Sequence, residues 1–322
     1  MSEGNTTDQV HADFKYYEYE PNLAGNAIFI VLFGILTLGH AFFQFRQKTW
    51  YWIPFTLAMG FEAGGYVARV ASIKEAPNFT LTPFLVQTLL ILLAPALLAA
   101  SIYMVLGRLI RLLDAHEHAI VRVNWLTKIF VAGDVLSFLT QSAGGGLLAK
   151  AETQKEKDLG TSVVLAGLAI QIVFFGLFIV TTILFDIRMR RRPTSRSFQV
   201  VANWKQLIFA LYLSSVLVLV RSVFRMIEFG AGKDSVLMQK EVFLLVLDGA
   251  LIFGVGVVFL WRFPGEVLVG YKDLEGKREE RVPGSSGSRS DVESRGGLNE
   301  AYPMVGRGSY ARESKIERSP RR

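Results

Sequence analysis

Seven continuous apolar runs constrain this chain more than any motif does. They fall at roughly 24–44, 51–70, 84–106, 125–148, 162–185, 204–224 and 241–261. A helix of about 20 mostly apolar residues, rising ~1.5 Å per residue, crosses roughly 30 Å of hydrocarbon, and each run approaches or exceeds that length. The sixth is the weakest, because Arg221 and Arg225 sit at its end. The runs are clumped rather than alternating, which excludes a transmembrane β-barrel. A composition of 51% hydrophobic and 20% charged residues is too apolar for an ordinary soluble domain. The expected fold is an all-α integral membrane protein of seven transmembrane helices. Residues 1–23 are expected to form an extracellular segment, 24–262 the membrane domain and 263–322 a disordered cytoplasmic tail.

Orientation follows from the basic residues of short loops, because cytoplasmic loops retain positive charge. The first, third and fifth loops hold Arg46 and Lys48; Arg108, Arg111 and Arg122; and Arg188, Arg190, Arg191, Arg192 and Arg196. The second, fourth and sixth hold Lys74; Lys150, Lys155 and Lys157; and Lys233 and Lys240. The N-terminal segment has only Lys15, whereas Arg262, Lys272, Lys277 and Arg278 open the C-terminal one. The N-terminus is therefore expected outside and the C-terminus inside. Both N-x-Ser/Thr sequons, at Asn5 and Asn78, fall in segments this rule places outside and are the expected glycosylation sites. From about Gly265 onward the chain is rich in Gly, Ser, Arg and Glu, a composition that cannot bury enough surface to offset ordering entropy. No signal peptide with a basic n-region precedes the first run, so that helix is expected to start insertion itself.

Ionisable groups inside a span cost about 2.5–3.5 kcal/mol each on insertion scales, so they face the bundle interior or water. Glu62 and Arg69 lie in the second run, Asp134 in the fourth, Arg221, Arg225 and Glu228 at the end of the sixth, and Glu241 and Asp248 in the seventh. Gln87, Gln141 and Gln171 join them from the third, fourth and fifth. Counting ~1.5 Å per residue from the cytoplasmic ends puts Glu62 roughly 17 Å, Asp134 roughly 14 Å and Arg221 roughly 25 Å up, with Asp248 roughly 10 Å below the outer end of its helix. Glu62 with Arg69, Asp134 with Gln141, and Glu241 with Asp248 are each spaced by nearly two turns, so each pair shares a helical face. These stripes predict one substrate-binding cavity open toward the outside, with Glu62, Asp134 and Asp248 deepest. The plainer alternative is an ion-pair network that only ties helices together, with Arg225, Glu228 and Glu241 snorkelling to the interface.

Other features have structural readings. Gly60, Gly64 and Gly65 allow close helix approach, as do Gly249, Gly254 and Gly256. Pro95 frees a backbone carbonyl and should kink its helix. The run Gly144-Gly145-Gly146 should loosen or end the fourth helix. Trp50, Tyr51, Trp52 and Trp125 read as interfacial anchors. No Gly-x-x-x-x-Gly-Lys-Ser/Thr loop is present, and of four histidines only His40 lies in a run, too few for a zinc hydrolase. The 114–118 stretch with His116 and His118 reads as a solvated loop rather than a metal site. The last run has no mid-helix lysine for retinal, and rhodopsin-like receptor signatures are missing. There is no cysteine. No cofactor, metal, enzyme activity or nucleic-acid partner is expected, since topology accounts for most of the basic residues.

Several segments together resemble one family. They are Tyr17-Glu-Tyr-Glu-Pro-Asn-Leu-Ala-Gly-Asn26, Glu62-Ala-Gly-Gly-Tyr-Val-Ala-Arg69, and Gln87 followed by Leu92-Leu-Ala-Pro-Ala-Leu-Leu-Ala-Ala100. Tyr103-Met-Val-Leu-Gly-Arg108, Asp134-Val-Leu-Ser-Phe-Leu-Thr-Gln141, Gly167 with Gln171, and Arg221-Ser-Val-Phe-Arg-Met-Ile-Glu228 continue the pattern, followed by Glu241 and Asp248. Over about residues 16–265 the chain resembles the fungal lipid-translocating exporters, aminocholesterol-resistance-like membrane proteins that include a sphingoid long-chain base transporter. Phe263 stands where the family's closing His-Pro-Gly has histidine. The resemblance implies seven helices, export of lipids or amphiphiles, and usually a plasma-membrane address. The expected function is translocation of amphipathic lipid-like molecules without ATP hydrolysis, the partners being such small molecules and membrane lipids. A seven-helix lipid-sensing receptor or regulator of lipid asymmetry is the competing reading.

Overall fold

The computed structural model describes residues 23–75, 81–200, 204–231 and 245–268. Asn5, Asn78 and Glu241 lie outside them. Among the described residues the regular structure is helical throughout. The long helices are α1 (Leu23–Gln47), α2 (Ile53–Lys74), α3 (Leu81–Leu112), α4 (Val123–Lys150) and α5 (Gln154–Arg191). A short α6 (Ser195–Gln199) and the long α7 (Trp204–Gly230) follow. A π-helical turn, Leu245–Ala250, then runs directly into α8 (Leu251–Trp261).

Among the described residues five segments are long and apolar enough to cross a bilayer: Leu23–Gln47, Leu85–Leu112, Gln154–Arg191, Trp204–Gly230 and Leu245–Leu268. Helical backbone is the expected answer in hydrocarbon, where every N–H and C=O must be satisfied within its own segment. The side chains agree. On α1, Ile28, Val31, Ile35, Leu38, Phe42 and Phe45 recur every three or four residues and are all more than half exposed. On the opposite side of the same helix Asn26, His40 and Gln44 are buried. Apolar residues out and polar residues in is the inverse of a soluble helix and the arrangement a lipid solvent selects. The protein is a multi-pass membrane protein.

Packing follows chain order for the most part. α2 lies against α1 and α3, α4 against α3 and α5, and α7 against α5, α3 and α8. The tightest seam joins α4 to α5. A Cβ placed on Gly167 would stand 2.7 Å from Gln141 Cγ and 3.0 Å from the Ser137 carbonyl oxygen, so only glycine fits there. Gly144 is equally close to the backbone of Gly160 and Val164. This corrects the expectation that Gly144-Gly145-Gly146 ends its helix. α4 continues to Lys150, because the missing side chain admits a neighbouring helix rather than a break.

Two further expectations change. Trp50 and Trp125 are exposed as interfacial anchors should be, but Trp52 is fully buried. Its ring stacks on Phe55 at 4.3 Å, and its indole N–H donates to Nδ1 of the buried His40 at 3.3 Å. The other ring nitrogen of His40 meets the Gly256 carbonyl at 3.0 Å, so one neutral imidazole ties α1, the turn before α2, and α8 together. The expected tail boundary at residue 263 also falls inside packed chain. Residues 264–268 are helical, and Phe263 and Leu268 are buried in the core, Phe263 against Phe43 and Trp52.

Candidate functional site

A buried ionic network occupies the seam between α2, α7 and the π-helical turn. Asp248 sits in that turn, and its carboxylate lies 2.8 Å from Nε of Arg221 on α7. The side chains are 2% and 4% exposed. The contact is an ion pair without an aligned hydrogen bond, since Arg221 Nε and Asp248 Oδ1 have no partner in hydrogen-bond geometry. Another guanidinium nitrogen of Arg221 donates to the Ile91 carbonyl of α3 at 3.4 Å. Ile91 is four residues before Pro95, so this is the carbonyl left free by the proline's missing N–H. The freed acceptor expected from the sequence is taken by the most deeply buried arginine of α7.

Glu62 on α2 is buried and lies within electrostatic reach of Arg221, Asp248 and Arg225. One turn along, Tyr66 is fully buried, stacks on Phe29 at 5.2 Å, and interacts with Glu62, Asp248, Arg69 and Arg221. Its hydroxyl fills the space a side chain at Gly249 would need, which brings α2 against the π-helical turn. Arg69 is also buried. One turn beyond Arg221, Arg225 pairs with Glu228 at 2.7 Å. Among the described residues three carboxylates (Glu62, Glu228, Asp248) and three guanidiniums (Arg69, Arg221, Arg225) thus gather here, in equal number. Gln87 is buried on α3, its main-chain carbonyl facing Gly65 of α2, the neighbour of Tyr66.

A second polar seam runs between α3, α4 and α5. Asp134 is 2% exposed. The hydroxyl of Tyr103 on α3 stands beside it, within interaction range but outside hydrogen-bond geometry. Both carboxylate oxygens and that hydroxyl are buried with no hydrogen-bond partner. Around Tyr103 stand Phe178 at 4.5 Å, Phe130 at 5.4 Å and Phe175 at 6.0 Å. Along α4 the polarity continues in satisfied form. Ser137 donates to the Gly167 carbonyl at 2.7 Å, and the Gln141 amide donates to Ser137 Oγ at 2.6 Å and to Gln171 Oε1 at 3.2 Å.

The structure therefore divides the residues expected to line one cavity. Glu62, Arg69, Arg221, Arg225, Glu228 and Asp248 come together, with the main chain of Gln87 against Gly65. Asp134 and Gln141 belong to the other seam, where no charged group of the first network acts on Asp134. Sequence reasoning gave Tyr66 and Tyr103 no part in the site, and foresaw the carbonyl freed by Pro95 without its partner Arg221. Tyr66 had a signal, since it lies one turn from Glu62 on the same face.

Residues 55–270 match the family described as RTA1 like protein. The chain belongs to the RTA1-like family. It is 34% identical over 276 residues to Protein RTA1 of Saccharomyces cerevisiae, spanning 78% of this chain and 85% of that one. It is 32% identical over 290 residues to Protoporphyrin uptake protein 1 of the same organism, spanning 79% and 93%. The Saccharomyces cerevisiae protein named sphingoid long-chain base transporter RSB1 is 26% identical over 278 residues, spanning 76% and 72%. No solved structure matches the chain. Family membership fits the multi-pass architecture, and the residues of both buried seams lie within the matched region.

Proposed function

We propose that this RTA1-like protein translocates amphipathic lipid-like molecules across the membrane, without nucleotide hydrolysis, by drawing polar headgroups into its buried seams. The observation that carries the reading is the Glu62, Arg221 and Asp248 network, at most 3% exposed by residue, inside helices whose outer faces are apolar. A purely structural bundle gains little from burying so many ions, because desolvation offsets most of the pair attraction. Polar groups retained at membrane depth are a signature of a substrate path. Asp248 also lies in a π-helical turn, a local geometry concentrated at functional sites. The relatives named as a sphingoid base transporter and a protoporphyrin uptake protein handle ligands that are both apolar and charged, and support the same substrate class.

In this reading α2 and α4 complete a set of seven spans. They are 22 and 28 residues long, or about 33 Å and 42 Å, with Glu62, Arg69 and Asp134 buried within them. The exposed polar residues, Lys74, Asn124, Lys128 and Lys150, lie toward their ends, and the exposed residues between, among them Leu57, Val67, Val135 and Leu139, are apolar. The N-terminus faces outside with Asn5 and Asn78, the basic loops and tail face the cytoplasm, and the plasma membrane is the site of action. Reconstitution into liposomes with a fluorescent sphingoid long-chain base tests the function. Protein-dependent movement of the base between leaflets, lost in Glu62→Gln, is the expected result. Saturable binding without movement would assign the protein to lipid sensing instead.

A further inference from the structure

The two buried seams differ in one chemical respect. In the α2–α7 network each carboxylate has an arginine within reach, whereas in the α3–α4–α5 seam Asp134 has none. α4 packs on α3 and α5, so the ionisable groups of those helices define its surroundings. From α3 only Tyr103 acts on Asp134, while Arg108 lies over the Tyr51 ring at 4.0 Å. On α5, Asp186 is taken up by Arg190 at 3.0 Å, and on α4 itself Lys128 lies over Trp125. Among the described residues, then, no cation neutralises Asp134.

An isolated carboxylate cannot remain charged in such a place, because removing an unpaired ion from water costs several kcal/mol. It must carry a proton or hold a cation brought from outside. The walls indicate which cation. Tyr103, Phe130, Phe175 and Phe178 form an aromatic cluster on α3, α4 and α5, and the Phe174 ring lies against Gly133, the neighbour of Asp134. A carboxylate beside several aromatic rings is the chemistry that recognises an organic ammonium, where ring quadrupoles supplement the ion pair and no strongly hydrated metal ion is favoured. We infer that Asp134 and its aromatic walls form a site for the ammonium headgroup of a cationic amphiphile, and that the site exchanges that cation for a proton. In the empty state the carboxylic acid is neutral. As the ammonium enters, the O–H proton passes to water and the carboxylate pairs with the cation, so the seam stays neutral throughout. This deepens the translocator reading by naming a substrate class and a coupling ion, and rests on it for direction of movement but not for binding.

The experiment uses the full-length protein in an uncharged detergent, weakly buffered at mildly acidic pH, titrated with dodecyltrimethylammonium below its micellar concentration. A quaternary ammonium has no proton to give, so any acid detected by a pH-sensitive dye comes from the protein. Saturable release of a proton for each cation bound is expected, lost in Asp134→Asn and retained in Asp186→Asn. Phe178→Leu should weaken binding about tenfold while keeping the release. Dodecyl sulfate and dodecanol should release nothing. Cation binding by the wild type without proton release, release that survives in Asp134→Asn, or no cation binding at all would overturn the inference. The wild-type measurement decides even if a variant is unstable. Absence of lipid movement in liposomes, with proton-linked binding intact, would refute translocation and leave this site standing.

Discussion

Removing Arg221 should damage the protein more than removing its partner Asp248, and the asymmetry follows from what remains. At 2.8 Å, and with the effective dielectric of about 20 that suits protein ion pairs, the gross attraction is about 6 kcal/mol. Desolvation of both ions cancels most of it, so the pair itself is worth little beyond a neutral replacement. The cost of a single change is set by the charge left behind. Arg221→Gln leaves Glu62 and Asp248 facing each other with their shared counter-ion gone, and vacates the Ile91 carbonyl as well. A loss of about 3–5 kcal/mol is expected, the range for breaking a buried pair. Asp248→Asn leaves Arg221 with Glu62, so only one contact is lost, at about 1–3 kcal/mol. The double variant should be more stable than Arg221→Gln alone, because it buries one uncompensated acid fewer. Thermal melts followed by size-exclusion profiles of the purified variants give the ranking: wild type, Asp248→Asn, double variant, Arg221→Gln. Equal losses for the two single changes, with an additive double variant, would mean that Glu62 does not share Arg221.

Gly167→Ala should destabilise by about 1–3 kcal/mol, because its Cβ meets Gln141 and the Ser137 carbonyl, while Gly176→Ala, with nothing within 4 Å, should gain up to about 1 kcal/mol; the same melts separate them. Pro95→Ala supplies an N–H for the Ile91 carbonyl and takes that acceptor from Arg221, so melting temperature should rise while lipid movement in liposomes slows; unchanged movement would show that the Arg221 contact is dispensable. A tag at the N-terminus should be cleaved by protease on intact cells and one at the C-terminus protected; the reverse pattern would invert the charge-based topology.

How much of this was legible in the sequence depends on the distance over which each feature is determined. Helix faces are local, and the polar stripes read from spacing are buried: Glu62, Arg69, Asp134, Gln141, Arg221 and Asp248 are each at most 4% exposed. The consequence of Pro95 is local too, since a proline always frees the carbonyl four residues back. What periodicity cannot supply is which helix a face meets. Asp134 and Glu62 lie at similar expected depths, which suggested one cavity, yet α4 turns its polar face to α3 and α5 while α2 turns its own to α7 and the π-helical turn. The Gly144 run and Trp52 were misread for the same reason. A glycine cluster and a tryptophan each have a default local meaning, and here a neighbouring helix in one case and His40 in the other decide.

The two seams share one helix. α3 supplies the Ile91 carbonyl to the ionic network and the Tyr103 hydroxyl to the Asp134 site, twelve residues further on, a rise of about 18 Å. Pro95 lies between them, where the helix lacks a hydrogen bond. The two segments of α3 are therefore joined at a weakened point, one carrying the contact with Arg221 of α7 and the other the contact with Asp134 of α4. Among the described residues the ions of the first seam already have protein partners, so a headgroup entering it meets compensated charge. The unbalanced one has a group whose neutrality depends on what is bound. A protein that moves charged amphiphiles through hydrocarbon needs both properties, since a site that is neutral when empty and neutral when filled avoids burying net charge at either stage. Division of the acids between a paired network and an unpaired receptor explains why six of the charged residues cluster and Asp134 stands apart.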